Sequence, residues 1–221
     1  MARVSIFFRL TPKNQELNDA LLKNLVSAAD IASKDEPKTF KYSIAVPREG
    51  NTADPRSIYV IEEYADESGF ELHAQQPDVQ SILQKMRDGA LADEPLALVL
   101  GIDDDFGFTR PEVAQLPDPF IAVTELFYKP GTGAEALRNL KAVSAASKQE
   151  SGTLSLALYT DPNDADKLRI VGVYESQDYW INVHGKSKEV QEFQATTSDI
   201  SAGVKVHLLK PIAGFLYKAK A

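Results

Sequence analysis

Apolar residues follow two alternating periods along the chain. Val4 to Leu10 is a compact apolar-rich run of strand type, and Phe40, Tyr42, Ile44 and Val46 recur at every second position as in a strand. Between them Leu17, Leu21, Leu22, Leu25, Ala28 and Ala29 recur at helical spacing and make one apolar face. Thr11 is placed to cap that helix with Pro12 at its first position, where a missing N–H leaves no orphaned donor. Ile58 to Tyr64 predicts the neighbouring strand, helical turns run from Asp66 through Met86, and Leu96 to Ile102 closes the series. The same order returns with strands near 120–128, 153–160, 167–174 and 204–217.

The return is a repeat in sequence as well as in pattern. SKDEPKTFKYSIAVP, from Ser33, aligns with SKQESGTLSLALYTDP, from Ser147, so that Glu36 matches Glu150 and Thr39 matches Thr153. GFELHAQQPDVQ and YWINVHGKSKEVQ place His73 and His184 in one frame, each followed five residues on by an acid (Asp78, Glu189) and then by Val-Gln. The offset is 114 in the first pair and 111 at the histidines, so the first copy has three extra residues, assigned to the loop PREGNTADPRS. Each copy has the order strand, helix, strand, strand, helix, strand. That order predicts an α+β class protein of tandem ferredoxin-like modules, residues 1–110 and 120–221, with the proline-rich 111–119 as linker. Each antiparallel sheet would carry helices on one face and leave the other apolar and bare. Two such faces can cover each other, so the expectation is an internal pseudo-dimer packed sheet against sheet, with a further homodimer left open.

Composition narrows the partners. With 221 residues, 43% of them hydrophobic and 25% charged, the chain is of globular type and long enough for a real core. A net charge of -8 argues against nucleic acid or an anionic membrane as partner, since both would repel the surface. The absence of cysteine removes disulfides, thiolate metal sites and cysteine nucleophiles. The apolar run Val4 to Phe8 is too short for a signal-peptide core and no stretch reaches membrane-spanning length, so a cytoplasmic location is the simplest expectation. Asp103, Asp104 and Asp105 lack the spacing of a calcium loop, and neither metal-ligand spacing nor a Gly-rich phosphate loop occurs, so no metal is expected.

The run KPGTGAEALRNLKAVSAASKQESGTLSLALYTDP, ending at Pro162, resembles the first half of an antibiotic biosynthesis monooxygenase (ABM) domain. EEYADESGFELH, from Glu62 to His73, resembles the family's later pattern: a glutamate ending strand three, an acid four residues on, an aromatic, then histidine. The resemblance implies a dimeric α+β barrel fold, here fused in one chain. It also implies a cofactor-independent monooxygenase, since members oxidise anthrones and naphthols to quinones with dioxygen and no metal, flavin or haem. Other members degrade haem, isomerise or handle signalling molecules, so the fold alone does not settle the reaction. The chain departs from the pattern where many members carry a second histidine five residues beyond the first: Asp78 and Glu189 stand there. Strand-end Glu62 has Val173 at the 111 offset. These departures allow one half to be working and the other a relic.

Oxygenation without a cofactor needs a base, a desolvated cavity and donors for a developing enolate oxygen. His184 and His73 are the candidate bases, and each has a second reading as scaffold that pins the short helix after strand three. Trp180, four residues before His184, would share its helical face and offer a wall and an indole N–H, or serve only as a core anchor; by the same offset the first copy has Gly69. Tyr42, Tyr59, Tyr64, Tyr159 and Tyr174 lie on predicted strands and are candidates to stack on a planar substrate. Glu62 shares strand parity with Ile58 and Val60, which aims a carboxylate at an apolar side with Arg9 as its candidate partner. His207 reads as a strand residue without a catalytic part. The reading that leads is an oxidoreductase taking a small aromatic or polyketide-like substrate and dioxygen, with no cofactor. The alternative is a non-catalytic small-molecule-binding or stress-associated protein of the same fold, and a haem-degrading relative comes third.

Overall fold

A computed structural model of the chain describes residues 3–49, 54–101, 107–161 and 163–218. The chain divides into two compact units, Met1–Gly101 with Lys210–Ala221, and Ile102–Leu209. Asp103, Asp104 and Asp105 and part of the predicted 47–57 insertion loop lie outside the described residues.

The first unit comprises β1 (Val4–Leu10), α1 (Gln15–Asp35), β2 (Thr39–Pro47), β3 (Ile58–Tyr64), α2 (Glu67–Ala74), α3 (Pro77–Arg87) and β4 (Leu96–Gly101). The second comprises β5 (Phe108–Thr109), β6 (Phe120–Tyr128), α4 (Gly133–Ser147), β7 (Thr153–Asp161), β8 (Asp164–Tyr174), α5 (Gln177–Asn182), α6 (Lys188–Thr197) and, through Leu209, β9 (Ser201–Phe215). Strand order is β4-β1-β3-β2 in the first unit and β9-β6-β8-β7 in the second. The resolved pairings of β1 with β3 and β4, and of β6 with β8 and β9, are antiparallel. Both are the ferredoxin-like arrangement expected from the repeat, an α+β fold in tandem.

Helix α1 starts later than Thr11 and Pro12 suggest. Asn14 is the cap, its Oδ1 accepting from the backbone N–H of Leu17 at 2.9 Å. Pro12 instead forms a bridge with Leu91, and the Thr11 hydroxyl is spent on Ser57 Oγ at 3.2 Å. Past its cap the helix buries Leu21, Leu25, Ala28, Ala29 and Ala32 against Leu10, Ile44 and Val60. Helix α4 does the same with Ala136, Leu140 and Val143 against Leu126, Leu158 and Leu168. Each leucine so buried stabilises the fold by about 1.5–3 kcal/mol. The sheet faces turned away from the helices are buried too: Phe7, Ala45, Tyr59 and Ile61 in the first unit, and Ile121, Val123, Val171 and Val173 in the second.

Two segments cover strand edges. The proline-rich stretch predicted as a linker is packed on the second unit. Phe108–Thr109 pairs with β7, Val113 is buried, and the Arg110 guanidinium donates to the carbonyls of Thr153, Lys148 and Glu150. At the C-terminus β9 lies beside β2, and its residues from Lys210 onward belong to the first unit. Gly214 is required there: its φ is 82°, and a Cβ would come 2.0 Å from the carbonyl oxygen of Tyr42. Beyond it, Lys218 Nζ donates to the carbonyls of Ala32 and Glu36 at 2.9 and 3.0 Å, closing the end of α1.

The copies also exchange bulk between paired positions. A Cβ on Gly69 would come 2.9 Å from Lys38 Cβ, whereas a Cβ on Gly152 would come 2.5 Å from the ring of Tyr179. Lys38 and Gly152 are equivalent, since the N–H of Ala65 bonds to Lys38 O and that of Glu175 to Gly152 O. One unit is therefore large where the other is small. Among the described residues no helix is long and apolar enough to cross a membrane.

Candidate functional site

The histidine frame has the same mechanical role in both units. His73 Nδ1 lies 3.1 Å from Glu36 Oε2, and His184 Nδ1 lies 2.9 Å from Glu150 Oε2. Each glutamate sits just past the long helix and also accepts from a threonine hydroxyl, Thr39 at 2.6 Å and Thr153 at 2.5 Å. The residues after each histidine tie down the same turn. Asp78 and Glu189 occupy the first turns of α3 and α6, where negative charge is favourable. Val79 and Val190 enter the two cores, and Gln80 and Gln191 reach back to the carbonyls of Ala74 and Gly185. Burial alone would raise the Glu36 and Glu150 carboxyls, but hydrogen bonds from histidine and threonine bring both below the ordinary glutamate value. An ionised carboxylate accepts only, so the proton on each bonded imidazole sits at Nδ1.

The strand register gives the equivalences the sequence offset missed. Tyr64 stands opposite Thr39 and Tyr174 opposite Thr153, which equates the two tyrosines. Glu62 then corresponds to Gly172 rather than Val173, and Tyr42 to Leu156. Asp66 and Ser176 cap equivalent helices, so Trp180 corresponds to Phe70 rather than Gly69. The extra residue enters after Trp180: α5 ends at Asn182, and His184 begins a separate 3-10 turn, His184–Lys186. Trp180 and His184 thus converge on one space without sharing an uninterrupted helix.

That space is a cavity of about 460 Å³ between α4, α5, α6 and the sheet of the second unit. His184, Trp180 and Tyr174 line it together with Leu140, Val190 and Phe193. No Asp, Glu, Lys or Arg lines it; its polar side chains are hydroxyls, Gln194, the Trp180 indole and the imidazole. The Tyr174 ring lies 5.0 Å from that of His184, and Trp180 packs on Phe120 at 5.6 Å. Burial, then the charge of Glu150, pushes the Tyr174 phenol upward, so it stays protonated. At the rim Ile181 and Val204 are 45% and 59% exposed, which continues the apolar lining outward. With Nδ1 held by Glu150, the ring nitrogen of His184 left for a ligand is Nε2.

The first-unit counterparts contact one another. His73 is buried with its ring 4.8 Å from Tyr42 and 5.5 Å from Tyr64. The Tyr64 hydroxyl donates to Glu62 Oε2 at 2.8 Å, and burial pushes the Glu62 carboxyl up to about 7, moderated by the charge of His73 and by that hydrogen bond. Arg9 does not reach Glu62; its guanidinium donates to Asp93 at 3.1 Å. Where unit one has the Glu62 side chain, unit two has Gly172, and Tyr174 lies over it: a Cβ there would be 2.4 Å from the phenol oxygen. Tyr59 and Tyr159 are buried on the faces turned away from the helices, next in sequence to helix-facing Ile58 and Leu158. His207 is also on that face, its Nε2 2.8 Å from Glu125 Oε1 in a buried cluster completed by Arg169 and Asp161. Among the described residues, no group of three or more His, Asp or Glu side chains is arranged to hold a metal.

Residues 119–196 match the family model of antibiotic biosynthesis monooxygenases. The second unit carries an ABM domain. The match spans β6 through most of α6 and so includes Glu150, Tyr174, Trp180 and His184. Solved structures resemble the whole chain, not the ABM domain alone. A candidate monooxygenase from Lactobacillus acidophilus NCFM is 12% identical with a TM-score of 0.75, covering 99% of this chain and 100% of its own. One from Fusobacterium nucleatum subsp. nucleatum is 18% identical with a TM-score of 0.74, covering 99% and 98%. An anthrone oxidase-like protein is 10% identical with a TM-score of 0.66, covering 100% and 96%. At these identities the likeness is one of fold. No curated protein matches the sequence.

Glu150 is the residue of the ABM domain that sequence reasoning left without a role. It lies 34 positions from His184, beyond any local spacing rule. A signal for it existed in the parallel repeat of Glu36-Thr39 with His73 and of Glu150-Thr153 with His184.

Proposed function

We propose that the second unit is a cofactor-independent monooxygenase that oxidises a small, electrically neutral aromatic or polyketide-like substrate with dioxygen. One observation carries the reading: an imidazole oriented by a half-buried carboxylate at the wall of an apolar cavity that no Asp, Glu, Lys or Arg lines. The volume is within the range of small-molecule sites. A ligand carboxylate or phosphate would find no cation there, so the cavity favours a neutral ring system stacked against Trp180 and Tyr174.

For an anthrone-type substrate, His184 Nε2 takes a proton from the ring CH₂, and Glu150 stabilises the imidazolium that results. The Trp180 indole N–H is a donor for the enolate oxygen, and the apolar walls keep water away. The carbanion gives one electron to dioxygen, and the radical and superoxide combine to form a C–O bond. The peroxide takes the proton back from His184. Loss of the remaining C–H proton with hydroxide leaves a carbonyl, so that CH₂ and O₂ become C=O and H₂O.

The test is oxygen uptake by the purified full chain with a panel of anthrones and naphthols under air, alongside quinone absorbance. The expected result is uptake in step with quinone formation. Quenching of Trp180 fluorescence by the same compounds with no uptake above background would overturn catalysis in favour of a non-catalytic binder.

A further inference from the structure

We propose that a small apolar recess behind His184 is where the second unit holds dioxygen, an inference that rests on the monooxygenase reading above. The recess has a volume of about 20 Å³. It shares Leu140, Val143, Ile170 and His184 with the main cavity, and adds Ser144, Leu156 and Leu158. It therefore adjoins the base on the side of α4 and β7.

One difference between the repeats borders the recess. Leu156 is the counterpart of Tyr42, and in the first unit the Tyr42 ring packs 4.8 Å from the ring of His73. The shorter leucine leaves the corresponding volume beside His184 empty of side chain. Water is a poor occupant of such a space, because a buried water needs two to four polar partners. The polar groups bordering the recess are Ser144, which is engaged within the protein, and His184, whose Nδ1 is held by Glu150, so that Nε2 is the one imidazole atom left to a water and falls short of two partners. Apolar cavities stay dry, and one of about 150 Å³ takes up xenon; at about 20 Å³ the recess has room for one small molecule. Dioxygen is small, apolar and uncharged, and a molecule held there meets a carbanion at the moment it forms beside the imidazole, while the organic ring system occupies the larger space.

Xenon is the probe. Crystals of the intact wild-type chain, pressurised with xenon, are expected to show a peak bounded by Leu156, Leu158 and Ser144. An ordered water at that place, or xenon confined to the main cavity, would overturn the assignment. Leu156→Phe, which restores an aromatic ring at the position of Tyr42, is expected to abolish the peak and to raise KM for dioxygen severalfold, with KM for the organic substrate unchanged. An unchanged KM for dioxygen in a folded Leu156→Phe would likewise contradict the proposal. Xenon bound in the recess of a wild-type chain that consumes no oxygen would remove the monooxygenase reading while leaving the recess as an apolar gas site, so the two failures are distinguishable.

Discussion

Glu150 Oε2 lies 2.9 Å from His184 Nδ1, and the same carboxylate oxygen accepts the hydroxyl of Thr153 at 2.5 Å. The pair fixes both the tautomer and the direction of the imidazole. Glu150→Gln keeps the shape but can present its amide N–H₂ to the ring and no longer balances an imidazolium. The expected outcome is a fall in kcat of about 10- to 100-fold with little change in KM for the organic substrate, by analogy with other orienting partners. Steady-state kinetics at saturating oxygen check this.

Gly172 makes room for Tyr174, whose phenol oxygen would lie 2.4 Å from an added Cβ. Gly172→Glu reproduces the first unit's Glu62 and puts a carboxylate where Tyr174 now lies, displacing that ring into the cavity. Trp180 is the sole tryptophan of the chain, so its fluorescence reports occupancy of the cavity directly. A naphthol is expected to quench the wild type in a saturable way and to leave Gly172→Glu unquenched.

Glu62 gives a pH dependence of stability. Burial raises its folded-state value from 4.5 to about 7, so the folded chain keeps a proton that the unfolded chain releases at the lower value. The stability this proton contributes is complete below about pH 4.5 and is lost as pH rises to about 7. Glu62→Gln retains an acceptor for Tyr64 and removes the titration. Relative to wild type, the variant is expected to gain in denaturant midpoint between about pH 5 and pH 8, whereas a constant difference across that range would contradict a raised Glu62.

The exchange of bulk between Lys38/Gly69 and Gly152/Tyr179 predicts coupling. Gly152→Lys alone drives a side chain into the Tyr179 ring and is expected to cost about 1–3 kcal/mol. Tyr179→Gly in the same chain reproduces the first unit's pairing and relieves part of that loss, so the two substitutions are expected to be non-additive. Chemical denaturation of the two single variants and the double variant measures the coupling.

Local sequence signals carried much of this architecture. Alternating Phe40 to Val46 and the periodic Leu21, Leu25 and Ala28 are local, and the strands and helices they predict are present. Near the helix start the competition was also local, but Asn14 offered a better-placed acceptor than Thr11. What escaped depends on tertiary register. A constant offset of 111 paired Trp180 with Gly69, because a single residue added between Trp180 and His184 is invisible without the strand pairing. The Glu36–His73 and Glu150–His184 contacts join segments 37 and 34 residues apart, so only their recurrence hinted at them. Residues from Lys210 onward belong to the first unit, where Gly214 passes close to Tyr42, a contact between residues 172 positions apart.

The two histidines share one frame, but His184 lines the cavity while His73 lies among Tyr42, Tyr64 and Glu36. Oxygen uptake by His184→Ala and His73→Ala, each compared with wild type on a neutral anthrone or naphthol, tests this division most directly. The account predicts that His184→Ala loses about 10²-fold or more in kcat, while His73→Ala, though less stable, retains turnover while folded. Equal loss in both folded variants, or loss in His73→Ala alone, would contradict it.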